Sequence, residues 1–132
     1  CGYTKKDITD RNIKAILNCA DELIVENIVK ELRMKMAIKM LKNLDMNDGG
    51  EADLAKFFDG IKFIEDARSK GLNVLVHCVN GRHRSGSMVV AYLMKTNKMS
   101  RIECVKLVQT KRECVRVDNF YCRLADLEIK LK

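Results

Sequence analysis

The segment VLVHCVNGRHRSGS, residues 74–87, constrains the fold of this chain more than any other stretch. An apolar run ends at Cys78, a short basic loop follows, and a second apolar run begins near Ser85. The loop contains Gly81 and leaves only a few residues in which the backbone can turn. This order predicts a buried strand that ends at Cys78, a tight turn, and a helix that begins near Ser85.

A junction of this kind favours the binding of an anion. Backbone N–H groups in a tight loop form a nest for negative charge, and a helix N-terminus adds free N–H groups and a positive dipole end. The same surroundings favour a thiolate at Cys78, because helix N-termini and nearby cations lower cysteine pKa values by roughly 1–5 units. Arg84 offers a planar set of donors that fits two oxygens of a phosphate. These residues predict phosphoryl transfer to sulfur, and the alternative is an inert, buried Cys78.

The rest of the chain alternates between strand and helix patterns. The predicted strands are 13–19, 34–40 (with one wet face) and 73–77. The predicted helices are 21–33, 52–70, 85–93, 100–114 (capped by Ser100) and 118–131 (capped by Asp118). The helix over 52–70 is predicted to share one apolar face among Leu54, Phe57, Phe58, Ile61, Ile64 and Ala67.

This alternation predicts an α/β fold with a central mixed, mainly parallel sheet flanked by helices on both faces. Ligands of such sheets bind beyond the carboxyl ends of the strands, and Cys78 lies at such an end. The length of 132 residues predicts a single domain over 1–132. Because the sequence begins with Cys1 rather than Met, we expect that a native N-terminal part is missing from it.

Net charge and cysteine content indicate which partners and which cellular compartment suit the protein. The formal net charge of +7 favours anionic partners, although a well-solvated surface explains it equally well. The six cysteines have no CxxC pair and no zinc-ligand spacing, which favours free thiols in a reducing compartment over a disulfide framework. No apolar run is long enough for a membrane span. We therefore expect a cytoplasmic or nuclear protein.

The motif His77-Cys78, five residues, Arg84-Ser85 matches the Cys-x5-Arg signature of protein tyrosine phosphatases. The wider sequence resembles the dual-specificity subgroup of that superfamily over nearly the whole chain. The flanking stretches that carry the resemblance are Ile16-Leu17-Asn18, Asn47-Asp48, Leu54 to Phe58, Phe63-Ile64, Ala91 to Met94, Lys111-Arg112, Asn119-Phe120 and Leu124.

The resemblance implies a role for each residue of the motif. Cys78 would attack phosphorus and carry a phosphocysteine intermediate, and Arg84 would bind the phosphate and stabilise the transition state. His77 would support the thiolate through hydrogen bonds of the loop, and Ser85 would assist departure of the sulfur. The phosphate would be bound by the backbone amides of Val79, Asn80, Gly81, Arg82, His83 and Arg84. No metal or organic cofactor is implied.

The reaction also needs a proton donor for the leaving oxygen. Four acidic residues lie just before or at the start of the second predicted helix: Asp45, Asp48, Glu51 and Asp53. Resemblance favours Asp48, because its spacing to Leu54 matches the acid position of the family, and the glycines that follow it favour a mobile loop. Asp45 is the second choice, and Asp53 fits the first turn of a helix. Asp48 as an ordinary turn aspartate is the alternative.

The expected substrate is a phosphorylated protein carrying phosphotyrosine, phosphoserine or phosphothreonine. Arg82 and His83 would also suit a polyanion, as in relatives that act on phosphoinositides or RNA 5′-triphosphates. A phosphoprotein-binding module without turnover is a further alternative. With few aromatic side chains, no nucleic-acid partner is expected, and a monomer is the default. Cys19 would approach Cys78 if their two strands are neighbours, which would permit a reversible disulfide.

Overall fold

A computed structural model describes residues 11–19, 38–44, 46, 54–78, 84–113, 115, 117 and 120–131. Within these ranges the chain forms strands β1 (Ile13–Asn18), β2 (Met40–Asn43) and β3 (Asn73–His77). The helices are α1 (Leu54–Ser69), α2 (Arg84–Asn97), α3 (Arg101–Lys111) and α4 (Tyr121–Leu131).

The three strands form a parallel sheet in the order β2-β1-β3. Apolar side chains dominate β1, and it is buried along nearly its whole length because a strand lies on each side of it. The last paired residues are Asn18 with Asn43 on one side and Asn18 with His77 on the other. The carboxyl ends of all three strands therefore meet at one edge, which is where Cys78 follows β3.

The helices begin and end where local chemistry dictates. In α1 the buried residues recur with helical spacing and make one face: Phe57, Gly60, Ile61, Phe63, Ile64 and Ala67. Gly71, with φ +74°, reverses the chain just beyond α1, where a side chain would be strained. Ser100 caps α3 by accepting a hydrogen bond from the N–H of Glu103, and its own hydroxyl donates to the Glu103 carboxylate.

One hydrophobic core joins the sheet to all four helices. The most enclosed helix is α2, of which eight residues are buried, because it packs against β3 and the other three helices. Phe57 of α1 meets Phe120, just before α4, in an edge-to-face contact with ring centroids 6.2 Å apart. Within the described part of the chain, no helix has the length and apolar character needed to cross a bilayer.

The α/β class is confirmed, and the described part of the sheet is parallel throughout. The strand predicted over 34–40 is misplaced, because Ile38 and Lys39 precede β2. The register with β1 starts at Met40, and the Lys39 N–H donates to the Lys14 carbonyl at 2.8 Å just before it. Residues 34–37, like the predicted helix 21–33, lie outside the described residues. Alternation of lysine and methionine on both sides of Met40 gave no signal of where the pairing starts.

Other boundaries and burial assignments also changed. The helix expected to reach Cys114 ends at Lys111, and α4 begins at Tyr121, while its predicted cap Asp118 lies outside the described residues. Phe58 is 36% exposed, because it falls beside the buried stripe of α1 and not within it. The strand β3 was expected to be buried, yet Leu75 and Val76 are half-buried, since β3 has only β1 as a described neighbour.

Candidate active site

The Cys78 thiol lies at the carboxyl end of β3, facing the first turn of α2. Its Sγ is 3.3 Å from the Oγ of Ser85, and either atom is able to donate in this hydrogen bond. Both side chains are almost fully buried, with Cys78 8% and Ser85 4% exposed. A thiolate at this position would accept a hydrogen bond from the Ser85 hydroxyl and face the positive end of the α2 dipole. The predicted strand and helix are thus both present, and they bring these two residues together.

Arg84 is the first residue of α2 and is only 3% exposed. Its Nη1 donates a hydrogen bond of 3.4 Å to the backbone carbonyl of Met46. A buried guanidinium is costly to desolvate unless anions or carbonyl oxygens surround it. The position therefore suits a group that binds an anion at the carboxyl edge of the sheet.

The Met46 carbonyl is a site feature that sequence reasoning missed. The segment after β2 is held to β1 by two hydrogen bonds, from the Leu44 N–H to the Asn18 carbonyl (2.8 Å) and from the Met46 N–H to the Cys19 carbonyl (3.2 Å). The Met46 side chain is fully buried in the core. These contacts fix a backbone carbonyl against Arg84, and a backbone group leaves no signal in the residue type.

His77 is buried beside the site and is held in its neutral form. Burial lowers its pKa from 6.5 to about 4, and a hydrogen bond with the backbone of Cys78 opposes this effect only partly. At neutral pH the imidazole carries no positive charge. A neutral imidazole would support a thiolate through hydrogen bonds, as the sequence predicts, and not through positive charge.

Cys19 is the second thiol near Cys78. Its N–H donates to the His77 carbonyl at 2.7 Å, which continues the β1–β3 ladder by one residue. Burial raises the Cys19 pKa well above its usual value, the negative charge of Cys78 raises it further, and Arg84 opposes both. Cys19 is therefore an electrostatic neighbour of both central residues of the site.

Several predicted site residues lie outside the described residues. These are the acidic residues Asp45, Asp48, Glu51 and Asp53 and the loop residues Val79, Asn80, Gly81, Arg82 and His83. The residues that the structure brings together are Cys78, Ser85, Arg84 and His77, with Cys19 and Met46 beside them.

A cavity of about 380 Å³ borders Cys78 and Ser85 from the side of α2 and α3. Its walls are mostly apolar and include Leu75, Val89 and Leu107. Two basic residues, Lys111 and Arg112, also line the cavity.

Comparison with known proteins identifies the family. The model of the family "Dual specificity phosphatase, catalytic domain" matches residues 3–130. Human dual specificity protein phosphatase 6 is 30% identical over 129 residues, covering 85% of this chain and 34% of the relative. Dual specificity protein phosphatase 1B of Arabidopsis thaliana is 36% identical over 103 residues, covering 72% of this chain and 62% of the relative.

Solved structures agree on the fold. A mouse putative dual specificity phosphatase complexed with zinc tungstate superposes with a TM-score of 0.80 at 21% identity, covering 96% of this chain and 76% of that one. PTPMT1 in complex with PI(5)P superposes with a TM-score of 0.80 at 23% identity, covering 94% of this chain and 81% of that one.

The fold of this chain is the one shared by these solved phosphatase structures. Since the family model matches almost the full sequence, the chain belongs to the dual specificity phosphatase catalytic-domain family. The chain spans about a third of the length of the human relative that it matches over the greater part of its sequence.

Proposed function

We propose that this protein is a dual-specificity protein phosphatase that hydrolyses phosphotyrosine and phosphoserine or phosphothreonine through a phosphocysteine intermediate. The observation that carries the proposal is the 3.3 Å contact between the Cys78 thiol and the Ser85 hydroxyl at the start of α2, beside the buried Arg84. A nucleophile, a hydrogen-bond donor to it and a cation thus occupy one helix N-terminus.

In the first step the Cys78 thiolate attacks phosphorus, an S–P bond forms and the P–O bond to the leaving group breaks. Arg84 and the amides of residues 79–84 stabilise the negative charge on the phosphoryl oxygens. Asp48 gives its proton to the leaving oxygen. In the second step water attacks phosphorus, Asp48 takes its proton, and Ser85 donates a hydrogen bond to the departing sulfur.

The resemblance to the family favours Asp48 as the acid. The carbonyl of Met46 accepts a hydrogen bond from Arg84, and both candidates are close to Met46 in the sequence, Asp45 one residue before it and Asp48 two residues after it. We expect Asp48→Asn to lower turnover by roughly 10²–10⁴-fold, since that is the usual contribution of a general acid. Asp45→Asn is the matched control and should retain most activity. If Asp45→Asn is the damaging variant instead, Asp45 is the acid.

A second candidate activity is hydrolysis of phosphoinositides. The neighbour PTPMT1 was solved with PI(5)P, and the basic residues Arg82 and His83 of this chain suit a polyanionic headgroup. Turnover of phosphopeptides, short-chain phosphoinositides and 5′-triphosphate RNA should therefore be compared at equal concentration. A preference for either of the last two classes over phosphopeptides would overturn the protein-phosphatase proposal.

The deciding experiment measures release of phenol from a small aryl phosphate without added metal. We expect turnover by the intact protein and none by Cys78→Ser, which should still bind phosphate because the donors around the anion remain. Arg84→Lys should lose both turnover and phosphate binding, because a lysine offers no planar pair of donors. Intact protein that binds phosphate without turnover would instead be a phosphoprotein-binding module.

A further inference from the structure

The cavity of about 380 Å³ beside Cys78 and Ser85 has a wall that three elements build. Its volume lies within the range of small-molecule sites, about 300–1,000 Å³. Each element contributes two apolar side chains: Leu75 and Val76 of β3, Val89 and Leu93 of α2, and Leu107 and Val108 of α3. Among the described residues, Arg84 and Met46 do not belong to this wall, so the cavity lies apart from the contact between them.

Packing around the cavity leaves apolar surface uncovered. Helix α2 is otherwise the most enclosed helix, yet Val89 and Leu93, one turn apart on it, are only half-buried. Leu107 of α3 is 38% exposed, and Leu75 of β3 is half-buried. Removal of such surface from water is favourable in proportion to its area. The cavity therefore suits a ligand whose body is apolar.

The charged side chains of the wall are cations. Lys111 is the last residue of α3, and Arg112 follows it as the C-cap. Both are exposed, and neither forms an ion pair with another described residue. No described residue of the wall is acidic, and His77 adds no charge at neutral pH because burial lowers its pKa to about 4. The charge around the cavity therefore attracts an anionic group.

A hydrocarbon chain fits this wall better than a peptide does. Every N–H and C=O group of a peptide needs a hydrogen-bond partner once it is removed from water. The six apolar side chains of the wall offer no such partner, and a hydrocarbon chain requires none. A single anionic head group beside Lys111 and Arg112 would complete the match, because both cations donate hydrogen bonds to carboxylate oxygens.

We propose that the cavity is a binding site for a single-chain anionic amphiphile of the fatty-acid class. The hydrocarbon chain lies among the six apolar side chains, and the carboxylate pairs with Lys111 and Arg112. Because Cys78 and Ser85 also line the cavity, a bound chain lies next to the candidate active site. The proposal goes beyond the proposed function and does not rest on it, since binding needs no turnover.

The test is equilibrium dialysis of the full chain against radiolabelled laurate at neutral pH, below the concentration at which laurate forms micelles. We expect saturable binding of one laurate per chain. Decanoate and octanoate should bind more weakly, with each lost methylene raising the Kd by up to about fourfold. Dodecanol has the same chain without the charge and should also bind more weakly. Equal affinity for dodecanol would overturn the proposal, and so would the absence of saturable binding, which would favour a protein segment as the occupant.

Charge variants locate the carboxylate. Lys111→Gln and Arg112→Gln should each raise the Kd for laurate by roughly twofold to fivefold, as expected for loss of an exposed ion pair, and leave the Kd for dodecanol unchanged. Lys106→Gln removes the same charge from α3 outside the wall and is the matched control. If Lys106→Gln weakens laurate binding as much as Lys111→Gln does, the carboxylate is not at the cavity.

A variant that fills the cavity locates the hydrocarbon chain. Val89→Phe extends a half-buried side chain of the wall into the cavity and should abolish saturable laurate binding, whereas Val105→Phe, at a half-buried valine of α3 outside the wall, should retain it. Unchanged laurate affinity in folded Val89→Phe would contradict the site. If Val89→Phe fails to fold by circular dichroism, the Lys111 and Arg112 variants decide alone. Laurate binding by a protein without phosphatase activity would refute only the proposed function.

Discussion

Cys78 and Ser85 lie seven positions apart in the sequence, and their Sγ and Oγ atoms are 3.3 Å apart in the structure. Sequence reasoning was able to predict this meeting, because a strand, a short loop and a helix in succession leave little freedom in where the helix begins. The same reasoning could not find the Met46 carbonyl opposite Arg84. That contact depends on the chain path after β2 and on a backbone atom that every residue type carries.

His77 makes stability depend on pH. Its pKa is about 4 in the folded protein and 6.5 when exposed, so between these values the unfolded chain binds more protons. The free energy of unfolding should therefore fall as the pH drops from about 6.5 to about 4, by at most about 1.4 kcal/mol per pH unit. Urea unfolding across this range measures the slope.

Replacement of each histidine isolates the effect. His77→Asn should flatten the slope over this range, because the titrating group is gone. His83→Asn, at the other histidine of the chain, should leave the slope close to that of the intact protein. Equal slopes for the intact protein and His77→Asn would show that burial of His77 is not the cause.

Among the secondary-structure elements, α2 sets the geometry of the site, because its first turn carries Arg84 and Ser85. The position of α2 depends on two close contacts in which a glycine backbone packs against a side chain. A Cβ built on Gly60 of α1 would lie 2.5 Å from the Met88 sulfur, and one on Gly86 would lie 2.6 Å from the Val115 Cγ1. Sequence periodicity predicted both helices, but the need for small residues at these contacts appears only once the helices are packed.

The effect of Gly86→Ala on the free energy of unfolding should therefore reverse in sign when Val115 is replaced by alanine. In the intact protein the added Cβ collides with Val115, and overpacking of this kind costs about 1–3 kcal/mol, more than the helix propensity that alanine gains. In Val115→Ala the colliding methyl is absent, so the same change should stabilise by about 0.5–1 kcal/mol. Denaturant unfolding of the four proteins measures both values.

Turnover provides the second measurement of this cycle. Gly86→Ala should lower activity in the intact protein, since displacement of the first turn of α2 moves Arg84 and Ser85. The loss should be smaller in the Val115→Ala background than in the intact protein. Gly86→Ala that is as stable and as active as the parent would mean that Val115 shifts without cost.

At the scale of the whole molecule, the net positive charge should affect how fast the protein meets its substrates. With a formal net charge of +7, the protein should attract acidic substrates electrostatically. Salt weakens this attraction, because the screening length is about 10 Å at 0.1 M ionic strength and shorter at higher salt. The kcat/KM for a phosphopeptide with acidic flanks should fall as salt is raised. The kcat/KM for a matched peptide with glutamine in place of those acidic residues should fall less. Equal salt dependence of the two kcat/KM values would rule out steering by charge.

The sequence by itself determined the α/β class, the succession of a strand before Cys78 and a helix near Ser85, and the identity of Ser85 as the hydrogen-bond partner of Cys78. These features follow from hydrophobic period and from residues close together along the chain, which act through local backbone geometry. Only the tertiary structure decided that Met46 faces Arg84, that Cys19 lies beside Cys78, and where β2 begins. Each of these depends on which strands are neighbours and in what register, and such pairing is fixed by burial of the shared core and not by local pattern.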